Sequence, residues 1–249
     1  MDKNTYQQAQ PRHPARLSCP PSLRLCARIA TLLTLWALTR NAPILAGYIP
    51  SPSACNYTET TGKDSRNFLW TLEKDDGWLL VSEDKLETHR AWLDTSLNTY
   101  KWSLDRPAND TTMTATKQGD TLHLQGTLNG KSHQRDYQLG RTPWYQALSL
   151  SLRKHLGEAF VKEEFWSIRP DTLELHKMQI IKISEERLKI EGTIQPTYRV
   201  IVRPAGWKAP LWKGEYWFSR NDGKFIRYRG DSGPPGSPDT IVELSKNKP

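Results

Sequence analysis

The feature that most constrains this chain is a rhythm that begins near Ser65. From there on, apolar and aromatic residues tend to alternate with polar ones in runs of mostly five to nine, separated chiefly by Gly, Asp and Asn. A period of two sends alternate side chains to opposite faces, which is the pattern of a half-buried strand. Fourteen such runs follow one another, among them Thr121 to Leu128, Ala159 to Ile168, Leu173 to Ile183, Arg187 to Ile194 and Glu215 to Ser219. Short spacers between so many strands favour antiparallel neighbours in a meander over a helix-linked parallel sheet.

Two hairpins have a register that follows from their turns. With Asn129 and Gly130 as a two-residue turn, Leu128 faces Lys131 and pairing runs outward through His123 with Asp136 and Leu122 with Tyr137. In "GEYWFSRNDGKFIRYRG", a three-residue turn at Asn221-Asp222-Gly223 sets Phe218 opposite Ile226 and Tyr216 opposite Tyr228 on one face. The other face then carries Glu215 with Arg229 as an ion pair and Trp217 with Arg227 as a cation–π pair. That consistency marks the stretch as a structural hairpin.

One segment reads as a helix, residues 142 to 156. Thr142 caps it, Pro143 suits the first turn, Gly157 the left-handed exit, and Trp144, Leu148, Leu152 and Leu156 form an apolar stripe. A single amphipathic helix among many strands needs a sheet to lie against. The architecture expected is mainly β: a strongly curved antiparallel meander, or half-barrel, closed by that helix.

The first 46 residues differ from the rest. A polar, basic lead-in precedes the apolar run Ile29 to Leu38, which is too short to span a bilayer and suits the core of an export signal. The organisation expected is therefore a leader at 1–46, a flexible linker at 47–64, one half-barrel domain at 65–246 and a tail at 247–249. Export places the body in the periplasm or outside the cell, and Pro52 argues against lipidation at Cys55. The leader holds six of the 35 Lys and Arg and one of the 27 Asp and Glu, so the body is only +3. Most of the basicity belongs to the leader, and nucleic acid is not an expected partner. Cys19 and Cys26 lie in the leader, which leaves Cys55 alone in the body and excludes a disulfide framework or cysteine metal site.

Nine of the ten tryptophans belong to the body. Each buries about 150–250 Å², or roughly 4–6 kcal/mol of transfer free energy at about 25 cal/mol per Å², so they either fill the core of a curved sheet or line a cavity for an apolar or amphiphilic ligand. Trp144, Trp166, Trp217, Tyr216 and Tyr228 are the candidate ligand-binding residues. A membrane-spanning barrel lacks support, because "HRAWLD", "TTMTATK" and "SHQRDYQL" have no continuous apolar face.

Catalytic motifs are missing. The five histidines of the body form no HExxH, and no GxSxG, P-loop or dinucleotide fingerprint occurs, so neither a metal, a cofactor nor a catalytic residue is expected. Glu163, Glu164 and Asp171 bracket "FWSIRP", but neighbours on a strand point apart and do not make an acid/base pair.

The segments "EEFWSIRPDTLELHKMQIIKI", "WKGEYWFSRNDGKFIRYRG" and "DTIVELSK" resemble the exported bacterial domain of unknown function 3108, over roughly residues 160 to 246. That resemblance implies kinship with the half-barrel of periplasmic lipoprotein carriers, and implies no active site. A non-enzymatic exported protein that binds a lipid or other envelope amphiphile is the leading expectation. An envelope assembly module using a strand edge or Trp217, and a hydrolase of envelope polymers, are the alternatives.

Overall fold

The computed structural model describes residues 48–158, 162–190, 192–231 and 237–245; the expected leader and tail lie outside the described residues. The strands are β1 (Ser53–Thr61), β2 (Asp64–Lys74), β3 (Trp78–Glu83), β4 (Thr88–Leu93), β5 (Thr99–Arg106), β6 (Thr111–Gln118) and β7 (Thr121–Leu128). They continue with β8 (Lys131–Gln138), β9 (Glu164–Ile168), β10 (Leu175–Ile190), β11 (Thr193–Pro204), β12 (Gly214–Ser219), β13 (Phe225–Asp231) and β14 (Asp239–Leu244). One short helix, α1 (Leu148–Ser151), precedes a 3-10 turn at Leu152–His155.

All fourteen strands belong to one antiparallel sheet in the order β8 to β1 followed by β14 to β9. Two meanders, β1–β8 and β9–β14, are thus joined where β1 pairs with β14, Tyr57 opposite Leu244 and Thr61 opposite Thr240. The sheet is not closed into a barrel: β8 and β9 stand at its two ends and do not pair with each other. The connection between them crosses this seam. Tyr145 donates its backbone N–H to Trp166 at 2.9 Å, Trp166 donates to the Pro143 carbonyl at 2.8 Å, and Thr99 to the Trp144 carbonyl at 2.9 Å. Trp166 Nε1 donates to the Leu139 carbonyl at 3.1 Å, and the Tyr137 hydroxyl to the Leu173 carbonyl at 2.8 Å.

Those bonds explain why the helix is shorter than the 142–156 expected. The backbone of residues 143–145 is already engaged by β9 and by Thr99, so helical bonding begins only after Ala147, while Gly157 takes the expected positive φ of 89°. The stripe is nonetheless apolar and interior: Trp144, Leu152 and Leu156 are buried and Leu148 packs partly against the core. Within the stretch expected as a linker, residues 53–61 form β1. Its polar residues hide the alternation, but Cys55 and Tyr57 point inward and are buried.

The β7–β8 hairpin has the expected register along its length, from Leu128 with Lys131 to His123 with Asp136, whose Nδ1 and Oδ1 lie 2.8 Å apart. Asn129 and Gly130 both have positive φ, 51° and 74°, as the mirror-image turn requires. The β12–β13 hairpin agrees from Gly214 to Trp217, including Tyr216 opposite Tyr228, and then shifts. A bulge puts Phe225 rather than Ile226 opposite Phe218, which turns Ile226 to the outer face beside Trp217 and Ile190. On that face Glu215 lies opposite Arg229 and Trp217 opposite Arg227 as expected, but the side chains take other partners than the expected ion pair and cation–π pair. Glu215 pairs with Arg199 at 2.7 Å and Lys213 at 3.1 Å, Arg229 with Asp239 at 2.6 Å, and it is Arg199 that lies over the Trp217 ring, 5.6 Å from its centre. A hairpin read alone omits its flanking strands: β11 and β14 supply nearer partners than the hairpin does. The two runs expected at 173–183 and 187–194 are one strand, β10, up to Ile190.

Registers also fix the two ends of the half-barrel. The turns β1–β2, β3–β4, β5–β6, β9–β10 and β11–β12 lie at one end, and β2–β3, β4–β5 and β12–β13 at the other. The seam helix sits at the second end, where Arg153 donates from Nη2 to the Asp222 carbonyl at 2.8 Å and Lys154 from Nζ to Asn98 Oδ1 at 3.1 Å. One end of the concave face is thereby plugged.

Candidate functional site

Above the plug the concave face is not filled. A cavity of about 380 Å³ runs between β1–β5, β12–β14 and the connection at residues 146–149. Phe68, Trp70, Trp102, Tyr216, Phe225 and Tyr228 give it aromatic walls. Tyr216 and Tyr228 have ring centres 4.9 Å apart, and Trp70 Nε1 donates to Ser149 Oγ at 3.3 Å, which ties the wall to the seam connection. Burial raises the ionisation of both tyrosines well above its ordinary range, so both are neutral phenols near neutral pH.

The end formed by the β1–β2 and β3–β4 turns is charged. Arg66 on β2 reaches Glu59 at 3.1 Å, Asp84 at 3.1 Å and Glu87 at 2.9 Å. Glu87 also faces His89 at 3.4 Å and accepts from Arg106, which extends to Asp171 at 3.2 Å. Burial pushes the Glu87 carboxyl up, but bonding and charge from His89 and Arg106 outweigh it and hold the group well below the usual carboxylate range. The cavity is therefore amphiphilic by construction, aromatic within and ionic at its rim. Glu87 is no proton donor near neutral pH, and among the described residues no cluster of His, Cys, Asp or Glu is suited to a metal ion.

The five candidate residues are placed in three settings. Tyr216 and Tyr228 line the cavity. Trp144 is fully buried at the seam, Trp166 is half-buried on β9, and Trp217 is buried on the outer face with its Nε1 donating to Glu186. Phe68, Trp70, Trp102 and Phe225, with the Arg66–Glu87 network, were not singled out from sequence. Their signal lay in the parity of each strand: Phe68 and Trp70 share a face of β2, and Ala91 and Trp102 are register partners across β4 and β5.

A second titratable cluster lies at the plugged end. Glu163 accepts from the Tyr145 hydroxyl at 2.6 Å and lies 2.5 Å from His155 Nε2 and 3.7 Å from Lys154 Nζ. Burial acts against its charge, yet His155, Tyr145 and Lys154 bring its pKa down to about 2. It ties the seam helix to the chain entering β9. Glu164 instead pairs with Lys177 at 2.6 Å, and Asp171 with Arg106, so these carboxylates face separate partners.

No protein-family model and no curated protein matches the chain. Among solved structures it is similar to a beta-barrel-like protein of domain of unknown function DUF1849 from Brucella abortus, with a TM-score of 0.53 at 9% identity, over 78% of this chain and 96% of that one. It is also similar to the hypothetical lipoprotein YmcC from Escherichia coli, TM-score 0.35 at 10% identity over 79% and 88% of the two chains. A DUF1329 family protein from Desulfovibrio piger gives 0.28 at 9% identity over 78% and 82%. The first of these shows a shared beta-barrel-like fold; the likeness to domain of unknown function 3108 stands on the sequence segments alone.

Proposed function

We propose that this chain is an exported, non-enzymatic protein of the cell envelope that carries an amphiphile, tail among the aromatics and head at the charged rim. The observation that supports this most directly is the division of the cavity lining, with Trp70, Trp102 and Phe225 inside and Arg66, Asp84 and Glu87 at the end opposite the seam helix. An acyl tail gains by leaving water for such walls, and a polar head keeps its hydrogen bonds at the rim. The export reading of the leader supports a periplasmic location. The assembly-module reading through Trp217 is weaker, because that side chain is buried against Ile190 and Ile226.

Native mass spectrometry of the chain purified gently from its exporting host, followed by lipid extraction, tests the reading. A near-stoichiometric co-purifying amphiphile is expected. An empty protein that also fails to bind a fluorescent fatty acid refutes it.

A further inference from the structure

An amphiphile in this cavity has to enter and leave past the charged rim, and two large apolar side chains stand exposed at that end. Trp207 is 80% exposed and Leu86 57% exposed. Of the five exposed large apolar residues among the described ones, the other three, Ile49, Tyr100 and Ile194, lie at the plugged end or next to it. Leu86 occupies the β3–β4 turn between Asp84 and Glu87, both of which line the cavity. Trp207 belongs to the 3-10 turn Gly206–Leu211 that links β11 to β12. That turn adjoins the cavity wall through Trp212, whose ring a Cβ on Gly214 would meet at 2.7 Å, with Tyr228 at 3.1 Å.

Both side chains are carried on fixed turns. Asp84 Oδ1 accepts from the backbone N–H groups of Leu86 at 2.7 Å and Glu87 at 2.9 Å. The Trp207 turn is held at one end by Ala205 donating to the Lys177 carbonyl at 2.8 Å and at the other by Trp212 Nε1 donating to the Asp231 carbonyl at 3.1 Å. Preorganised apolar side chains lose little conformational freedom when they are covered. Much of the charge at this end is held in ion pairs: Arg66 and Arg106 share Glu59, Asp84, Glu87 and Asp171, Lys213 pairs with Glu215, and Arg229 with Asp239, while Lys63 and Lys85 stand exposed in the same turns. Paired charges contribute little to electrostatic capture, whereas an exposed indole suits the interface of a bilayer.

We propose that the mouth end of the half-barrel docks on a phospholipid bilayer by inserting Trp207 and Leu86, so that the cavity opens toward the lipid. This rests on the reading of the cavity as an amphiphile site. Docking is apolar and reversible, with two anchoring side chains and no lipid-charge requirement.

Hydrogen exchange of the full chain with and without phosphatidylcholine vesicles tests it, at low and high salt. Protection is expected in residues 84–87 and 205–213 at both salt concentrations, with none in the turns at 75–77 or 119–120. The double variant Leu86→Ser, Trp207→Ser should lose that protection and lower the vesicle-bound fraction at least about tenfold, since each buried apolar side chain is worth about that much in partitioning. Its binding of a fluorescent fatty acid should be unchanged. Unprotected loops in bound protein, protection that persists in the double variant, or attachment only to anionic vesicles at low salt would each overturn the proposal. Protected loops in a protein that binds no fatty acid would instead sustain docking and refute the carrier reading.

Discussion

Replacing Ala91 by phenylalanine asks whether the space on the concave face is empty and whether it is where ligand goes. Ala91 is buried at 3% exposure, lines the cavity, and is flanked across β3 and β5 by Leu80 and Trp102, which line it too. In a filled core an added ring costs about 1–3 kcal/mol through strain. Beside about 380 Å³ of free volume the ring finds room, and its burial contributes about 1.5–3 kcal/mol instead. The variant should therefore unfold in urea at a midpoint equal to or above that of the parent, with the same slope. Binding of a fluorescent fatty acid, followed by titration, should fall at least about tenfold, because a phenyl group would occupy part of the proposed tail site. A midpoint drop equivalent to more than about 1 kcal/mol would mean the space is not free. Undiminished binding in a stable variant would place the ligand elsewhere.

Three further outcomes follow from the bonding. Glu163 has its pKa lowered from 4.5 to about 2, so the stability it adds is present above 4.5 and is lost as the pH falls toward 2. Urea unfolding from pH 6 to 2.5 should show Glu163→Gln about 1–2 kcal/mol less stable than the parent at the upper end after solvent screening is allowed for, with the gap closing on acidification; a constant gap would contradict this. Tyr57→Phe removes a buried hydroxyl that donates to the Phe225 carbonyl at 2.8 Å, and calorimetry should register about 1–2 kcal/mol of destabilisation. Gly126 has φ of +140°, and a Cβ there would stand 2.1 Å from the Thr112 carbonyl oxygen, so Gly126→Ala should cost more than about 2 kcal/mol and shift the β6–β7 amide signals; an unperturbed melting temperature would refute the close approach.

Local rules carried as far as local contacts decide structure. The β7–β8 hairpin was legible throughout because a two-residue turn fixes parity, and its pairs need no third strand to be settled. The β12–β13 hairpin was legible only to Trp217, since the bulge at Ile226 serves a packing contact with Ile190, far away in sequence. β1 escaped because a polar strand acquires its place from β14 and β2 on either side. The half-barrel itself followed from many short strands and one apolar helical stripe. Of the cavity, Tyr216 and Tyr228 were visible as a cross-strand pair, whereas Trp70 and Trp102 come from strands that alternation alone cannot order around a common space. The Arg66 network likewise unites Arg66 of β2, Glu59 of β1 and Asp84 and Glu87 of the β3–β4 turn, and no spacing announces it.

The pairing of β1 with β14 has a consequence for how the molecule is made. Thr61 and Thr240 are sequence-distant, yet they are neighbours in mid-sheet, while the sheet's free ends come from the middle of the chain. Each meander can zip up through hairpins of low closure cost as its residues become available. The central join cannot form until β14 has arrived, so the concave face has no second wall during most of synthesis. Folding should be late and cooperative at that one step, and a chain truncated before Asp239 should leave two unjoined meanders rather than a smaller half-barrel.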